Sequence, residues 1–380
     1  MSQKPRYFPN NPSTLSKVPD PRSELVYSLT TLVNGGPPRK PWSGKVESKG
    51  LFSGPTSIAY VFLWLSKTHP DLVIEGKNAR QWCLAYLDCG SDAIPIEGEG
   101  KKKGMGIKNE FLAWRAVRAA IMNEVDLVEE MIEGVKKLHG VIEDGENELF
   151  DGRAGTLALL RVARFWVPES KQRVDEVMKM LIRHIVKRRP WTWHDGSEFL
   201  GAAHGAVGIV LQIVLCDASF AEEVEGTLVE VLDQQQENGN WFIVMGKSDK
   251  GEYVQWCHGS PGVVLSLVKM RDCFPRLKER LDSAIVKGRK NIWGKGVLVK
   301  EPCLCHGISG NMLALEGEYR EHFMSFATHE RVQQGIRDKS IIEANDDRYG
   351  LFFGEPGRAW AWMIMDSGKD LGYPGYSSDA

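Results

Sequence analysis

No stretch of this chain approaches the roughly 18 apolar residues a membrane-spanning helix needs, so no span is expected. No apolar run of signal-peptide length follows Met1-Ser2-Gln3-Lys4, so no signal peptide is expected either, and a cytoplasmic location is the reading. Charge of one sign is also missing. Lys and Arg number 48 against 50 Asp and Glu, a formal net charge of −2, which leaves no electrostatic footprint for nucleic acid. Cysteine is sparse and odd in number, 7 in 380 residues, which argues against a disulfide framework and for metal ligands plus free thiols. Paired carboxylates of the kind a glycosidase requires are not found among the motifs described next.

What is present is glycine in a repeating phrase. Gly-x-x-Gly recurs at Gly152/Gly155, Gly205/Gly208, Gly259/Gly262, Gly307/Gly310 and Gly354/Gly357, with first glycines 53, 54, 48 and 47 residues apart. Two degenerate copies, Leu51-Phe52-Ser53-Gly54-Pro55-Thr56-Ser57 and Met105-Gly106-Ile107-Lys108-Asn109, extend the series backward by steps of 46 and 52 residues. A near-constant period of this size means a repeat architecture, here of seven units, in which each unit buries its apolar face against its neighbours. Each unit reads as a charged amphipathic helix, a loop, the glycine phrase and a more apolar helix. Glu124–His139, Ser219–Gln235 and Pro275–Lys290 are helices of the first kind; Thr156–Val167 and Gly205–Leu215 are of the second. Amphipathic helices suit an outer ring and apolar ones an inner ring. The expected fold is therefore all-α: a double-layered α/α toroid of seven pairs, with the glycine phrases gathered at one mouth.

Two phrases carry chemistry. Trp256-Cys257-His258-Gly259-Ser260-Pro261-Gly262 and Leu304-Cys305-His306-Gly307-Ile308-Ser309-Gly310 offer two thiols and an imidazole. That donor set matches zinc with a fourth position left open, the arrangement of catalytic zinc sites. A zinc already holding thiolates accepts another sulfur, so thiol activation is the chemistry implied. Two other readings stand beside it: Cys303 completing a closed, structural Cys3His site, or Cys257 and Cys305 as inert buried thiols.

These phrases resemble the lanthionine synthetase C-like (LanC-like) family. Trp-Cys-His-Gly-x-Pro-Gly is followed 48 residues later by Cys-His-Gly-x-x-Gly-Asn, and Gly152-Arg153-Ala154-Gly155 is similar to the eukaryotic branch. The resemblance runs from about Leu51 to Pro374. It implies a seven-fold α/α barrel with one zinc held by Cys257, Cys305 and His306. Bacterial relatives join a peptide cysteine to a dehydroalanine or dehydrobutyrine as a thioether ring; eukaryotic relatives bind glutathione and are thought to add it to dehydroamino acids in damaged proteins. The family's active-site His matches His204 and its acidic residue matches Glu148. Two departures, Tyr253 where bacterial cyclases have Arg and His258 where they often have Tyr, leave simple thiol addition open in place of ring formation.

The reaction needs a proton at the α-carbon, and His204 is the candidate acid. Glu148 would accept the thiol proton or orient an imidazole, and His258 would donate to the enolate oxygen. Arg153 reads as a structural ion-pair partner, with contact to a glutathione carboxylate as the functional alternative. The partners implied are glutathione or a peptide thiol and a dehydroamino-acid-containing peptide or protein. A non-catalytic glutathione- and zinc-binding adaptor is the competing function. His139, His184, His322 and His329 read as solvated helix faces. Trp191, Trp193, Trp241 and Trp256 fall in loops before glycine phrases and are expected to wall the mouth.

By domain, residues 1–22 are expected to be an extended N-terminal segment, 23–368 the barrel, and 369–380 a short polar tail. Ser23–Val33 is predicted to be the first outer helix, 241–255 a small hairpin, and 35–50 and 90–104 polar connectors.

Overall fold

The computed structural model describes residues 5–10, 14–39, 49–89, 104–142, 146–193, 195–247, 253–343 and 347–379. Among them are fifteen α-helices. The first eight are α1 (Pro21–Gly35), α2 (Pro55–Thr68), α3 (Ala79–Leu87), α4 (Glu110–Met122), α5 (Val125–His139), α6 (Arg153–Trp166), α7 (Lys171–Lys187) and α8 (Ala206–Cys216). The rest are α9 (Ala221–Asp233), α10 (Ser260–Met270), α11 (Lys278–Lys295), α12 (Ile308–Asn311), α13 (Gly317–Ser325), α14 (His329–Arg337) and α15 (Glu355–Ser367). Among the described residues the only paired strands form a two-stranded ribbon, Val73–Ile74 against Lys77–Asn78.

Helices α2, α4, α6, α8, α10, α12 and α15 pack in that order, and α15 returns to α2, so the inner ring closes on itself. They are apolar nearly all round: every residue of α8 but Leu215 is buried. The outer helices show one apolar stripe, as in α5, where Val128, Met131, Ile132, Val135 and Leu138 face inward and charged residues face out. Outer helices pair with the inner helix before them in the chain, α3 with α2, α5 with α4, α7 with α6, and so on to α13 with α12. The exception is α1, which packs on α15 and so staples the start of the barrel to its end. The sequence reads each unit as outer then inner; packing pairs it as inner then outer, because a short loop after an inner helix returns the chain antiparallel. No helix of the described residues is long and apolar enough to cross a membrane.

The glycine phrases start the inner helices. Their second glycines mark a close approach: a Cβ at Gly310 would overlap the carbonyl oxygen of Leu304, and one at Gly262 would overlap that of Trp256. In both cases the obstacle lies six residues back, where the loop folds under the first helical turn. The period of the sequence is thus the period of one steric requirement.

One expectation about the chain ends changes. The segment after Gly368 is not a polar tail: Leu371 through Ser378 are all buried. It runs along the barrel axis and touches inner helices in turn. Trp360 Nε1 donates to the Gly372 carbonyl at 3.0 Å, Gln212 Nε2 to the Tyr376 carbonyl at 3.0 Å, and the Tyr376 and Ser266 hydroxyls meet at 2.5 Å. Tyr60 and Ser378 share a hydrogen bond of 2.7 Å. Arg161, on α6, pairs with Asp379 at 2.5 Å, both side chains nearly without exposure. Burial opposes the Arg161 charge, but the Asp379 carboxylate more than offsets it. The buried charge of Arg161 is explained by a partner at the far end of the chain. The described residues ahead of α1 are pinned to the barrel. Phe8 N donates to the Val297 carbonyl, and His322 bridges the Ser16 amide and the Asn10 side chain at 2.8 and 2.7 Å.

His322 is therefore buried, not solvated, and His329 stacks on Tyr27 with its Nδ1 on Glu24. His139 and His184 meet edge to face, 4.9 Å apart. No hairpin forms over residues 241–247: Trp241 pairs with Gln235 and Val244 with Phe199. Residues 248–252 of that segment, 40–48 of the connector at 35–50 and 90–103 of the connector at 90–104 lie outside the described residues.

Candidate active site

A collar of backbone hydrogen bonds joins the glycine-phrase loops. Leu51 N donates to Ile107 O (2.8 Å), Ile107 N to Leu149 O (3.2 Å), and Leu149 N to Ala203 O (3.4 Å). On the other side Cys257 N donates to Cys305 O (3.2 Å) and Cys305 N to Phe352 O (2.9 Å). Equivalent residues of successive units thus sit side by side. In units four to seven these are Ala203, Cys257, Cys305 and Phe352, each two places before a glycine. The residues one place before the glycine, His204, His258, His306 and Phe353, are all half-buried at the mouth. Sequence positions 48 residues apart become neighbours because the repeat closes.

The two thiols are buried and hydrogen-bonded to one another. Cys257 Sγ also accepts from Gln255 Nε2 at 3.2 Å. The Cys305 thiol and then Gln255 hold the Cys257 thiol below its ordinary pKa, and the Lys300 charge acts the same way. The same shared proton pushes Cys305 up. Cys303 is a third buried thiol beside them, and none of the seven cysteines is in a disulfide. His306, on the residue after Cys305, packs its ring 5.2 Å from Phe353. Among the described residues no group of three His, Cys, Asp or Glu stands in metal-holding geometry. The donor set still fits zinc: two thiols preassembled on neighbouring loops, with an imidazole opening onto the same mouth.

His204 faces the mouth from unit four with its side chain 24% exposed. Its Nδ1 lies 2.9 Å from Glu148 Oε2, and its ring is clasped edge to face by Trp193 and Phe150, at 4.9 and 5.1 Å. Glu148 is buried and accepts two backbone N–H donors, Phe150 at 2.9 Å and Asp151. A carboxylate fixed in this way places a proton on His204 Nδ1 and leaves Nε2 toward the mouth. Glu148 therefore orients an imidazole. His258 stands 6.1 Å from His204, ring to ring. These placements bring Cys257, Cys305, His306, His204, Glu148 and His258 to one face.

Arg153 does not join them. It is wholly buried, and its guanidinium faces His139 Nδ1 and the Glu146 carbonyl at 3.1 and 3.0 Å. It ties the loop of unit three to the outer helix α5, and the reading as a glutathione contact is corrected. Of the four tryptophans expected to wall the mouth, Trp193 does so. Trp191 and Trp241 turn outward and donate to carbonyls of outer helices, and Trp256 is buried beneath the thiols' loop. Sequence reasoning missed Gln255, Lys300 and Tyr373, which stacks on Trp256 with ring centroids 4.0 Å apart. Gln255 had a signal, a side-chain amide two places from a candidate ligand. Tyr373 had none, because its position depends on the docking of the chain end.

The model of the family described as "Lanthionine synthetase C-like protein" matches residues 112–376. The LanC-like protein GCL1 of Arabidopsis thaliana is 29% identical over 196 residues, covering 48% of this chain and 44% of that protein. The glutathione S-transferase LANCL1 of Danio rerio is 30% identical over 135 residues, covering 34% of this chain and 32% of that one. The matched stretches thus span less than half the length of either relative. The solved structure of nisin cyclase superposes with a TM-score of 0.64 over 95% of this chain and 98% of its own, at 11% identity, which is a likeness of fold. With a closed α/α toroid, a collar of glycine phrases and a family match over most of its length, this chain belongs to the lanthionine synthetase C-like family.

Proposed function

We propose that this protein adds a thiol, with glutathione as the candidate, to dehydroalanine or dehydrobutyrine residues in peptides or proteins. One zinc per chain would be held by Cys257, Cys305 and His306. The observation that carries the reading is the juxtaposition at one mouth of a hydrogen-bonded thiol pair and an imidazole whose tautomer is fixed by a buried carboxylate. Zinc bound there would supply a thiolate near neutral pH.

The remaining work falls to the chain's own residues. As the thiolate attacks the β-carbon, charge moves through the unsaturated amide to its oxygen. His204 Nε2 then delivers a proton to the α-carbon, and the proton given up by the thiol restores His204, so that sulfur and hydrogen add across the double bond. Glu148 stabilises the imidazolium and holds its ring. His258, beside His204, is placed to donate to the enolate oxygen. Lys300 and Arg6, the latter over the Tyr253 ring at 4.8 Å, supply positive charge suited to the carboxylates of glutathione. Trp193 and Phe150 restrict water around the imidazole.

The test is to incubate the purified protein with glutathione and a dehydroalanine peptide and follow the peptide by mass spectrometry, with elemental analysis of the same preparation. A glutathione adduct forming faster than without protein, and one zinc per chain, is the expected result. Glutathione binding without any adduct would replace the enzyme by a binding adaptor.

A further inference from the structure

The described N-terminal residues reach the mouth beside Val297–Val299, which lead into the loop of Cys305. Arg6 O accepts from Val299 N at 3.1 Å, Phe8 N donates to Val297 O at 2.7 Å, and Tyr7 is bridged to Leu298. The Arg6 guanidinium thereby stands 4.8 Å from the centre of the Tyr253 ring, on the loop of Cys257. Farther along, the segment is fastened to α13. Val18 N donates to Glu321 Oε1 at 3.1 Å, and the other two contacts fall to one side chain, His322, which is 3% exposed. Those two bonds fix the proton on its ring. Nδ1 faces the Ser16 N–H at 2.8 Å and must accept. The Asn10 amide donates through Nδ2 to the Trp293 carbonyl at 2.9 Å, so its Oδ1 is the acceptor facing His322 Nε2 at 2.7 Å. Nε2 therefore carries the hydrogen, and the docked imidazole is neutral and in one tautomer. A second proton has only Nδ1 to bind, where it would meet the Ser16 N–H head on.

We infer that His322 is a positioning residue of the mouth: as a neutral imidazole it latches the N-terminal segment in place, and its protonation releases that segment together with Arg6. The surroundings of the ring favour the neutral form. Burial, and then the charge of Arg331 on α14, hold it below the ordinary pKa of a histidine. Glu321, on the same helix, is engaged by the Val18 amide, Lys17 of the docked segment is exposed, and α11 contributes the Trp293 ring at 5.0 Å. Release returns His322 to an ordinary value of about 6.5, so the released state binds the proton more tightly. Docking is therefore at full strength above that pH and weakens as pH falls below it. This inference rests on the proposed function only in taking Arg6 as a contact for the thiol ligand.

The test is amide hydrogen exchange of the full chain, read at Phe8, Ser16 and Val18 and corrected for the intrinsic effect of pH. Protection of these amides should fall about tenfold between about pH 8 and about pH 5, the scale of one buried hydrogen bond, while amides of α6 and α8 keep theirs. His322→Gln retains an acceptor and a donor but cannot take the proton, and it should hold its protection across that range. Arg331→Gln removes the opposing charge and should move the transition to higher pH. Equal protection at both ends of the range in wild type overturns the inference. So does a fall of the same size and midpoint in His322→Gln, or a fall shared by α6 and α8, which is unfolding of the barrel. If His322→Gln is already loose at the upper pH, the latch stands and Arg331→Gln decides the role of the proton: an unmoved midpoint overturns it. None of these readings needs glutathione or metal, so a protein that forms no adduct still tests the latch. Where glutathione binds, its Kd should rise through the same pH range.

Discussion

The two arcs of the collar share a backbone and differ in chemistry. In units four to six the two residues before the glycine are Ala203-His204, Cys257-His258 and Cys305-His306. In units one and seven the same two places hold Phe52-Ser53 and Phe352-Phe353, and unit three places Phe150 two residues before its glycine. The aromatic arc is a tight cluster: Phe52 lies 5.0 Å from Phe150, 5.3 Å from Phe352 and 4.9 Å from Phe353. The polar arc leaves three imidazoles half-exposed above two buried thiols. The repeat therefore supplies equivalent positions, and the candidate site lies where polar groups replace the aromatic filler at a few of them. One arc is filled by packed rings, and the other gathers the groups of the proposed reaction.

That contrast can be broken from either side. The largest effect is expected at Cys257. Cys257→Ala should reduce bound zinc from one per chain to none and bring adduct formation to the uncatalysed level, read by elemental analysis and mass spectrometry. His204→Asn should keep the metal yet slow adduct formation by about 10²-fold, the scale of a positioned acid; turnover equal to wild type would move that role to His258. On the aromatic arc the effect should change in kind. Phe352→Ala removes a fully buried ring and should cost about 3 kcal/mol of stability in denaturant unfolding, while protein kept folded retains its zinc. Glu148→Gln keeps the shape but loses the carboxylate that fixes the His204 tautomer, and about a tenfold loss in rate with unchanged zinc is expected. Smallest of all, Cys303→Ser should leave metal content and rate near wild type; loss of zinc in that variant would mean a closed, structural site.

Much of the barrel was legible in the sequence. The period of the glycine phrases reflects one steric demand repeated in every unit, and the apolar and amphipathic helices separate because each kind can bury only one kind of surface. The candidate thiols and imidazoles were legible too, since they stand at fixed offsets from those glycines. Arg153 misled because a cation in a loop phrase looks available, yet burial against His139 and the Glu146 carbonyl uses its donors within the chain. His322 misled in the opposite sense: its helix looks solvated, and only the returning N-terminal segment covers it.

The sequence by itself determined the seven-fold repeat, the helix types and the identity of the groups at the mouth, because these follow from local pattern and steric need within about 50 residues. Tertiary structure decided the pairing of inner with outer helices, the closure of α1 on α15 and the course of the chain end. The segment from Leu371 to Asp379 reads as solvent-exposed because its glycines, serines and aspartate carry no periodic apolar face. It is buried because the inner helices present Arg161, Gln212, Ser266 and Tyr60 to an axis that no local pattern describes, and those buried polar groups require partners.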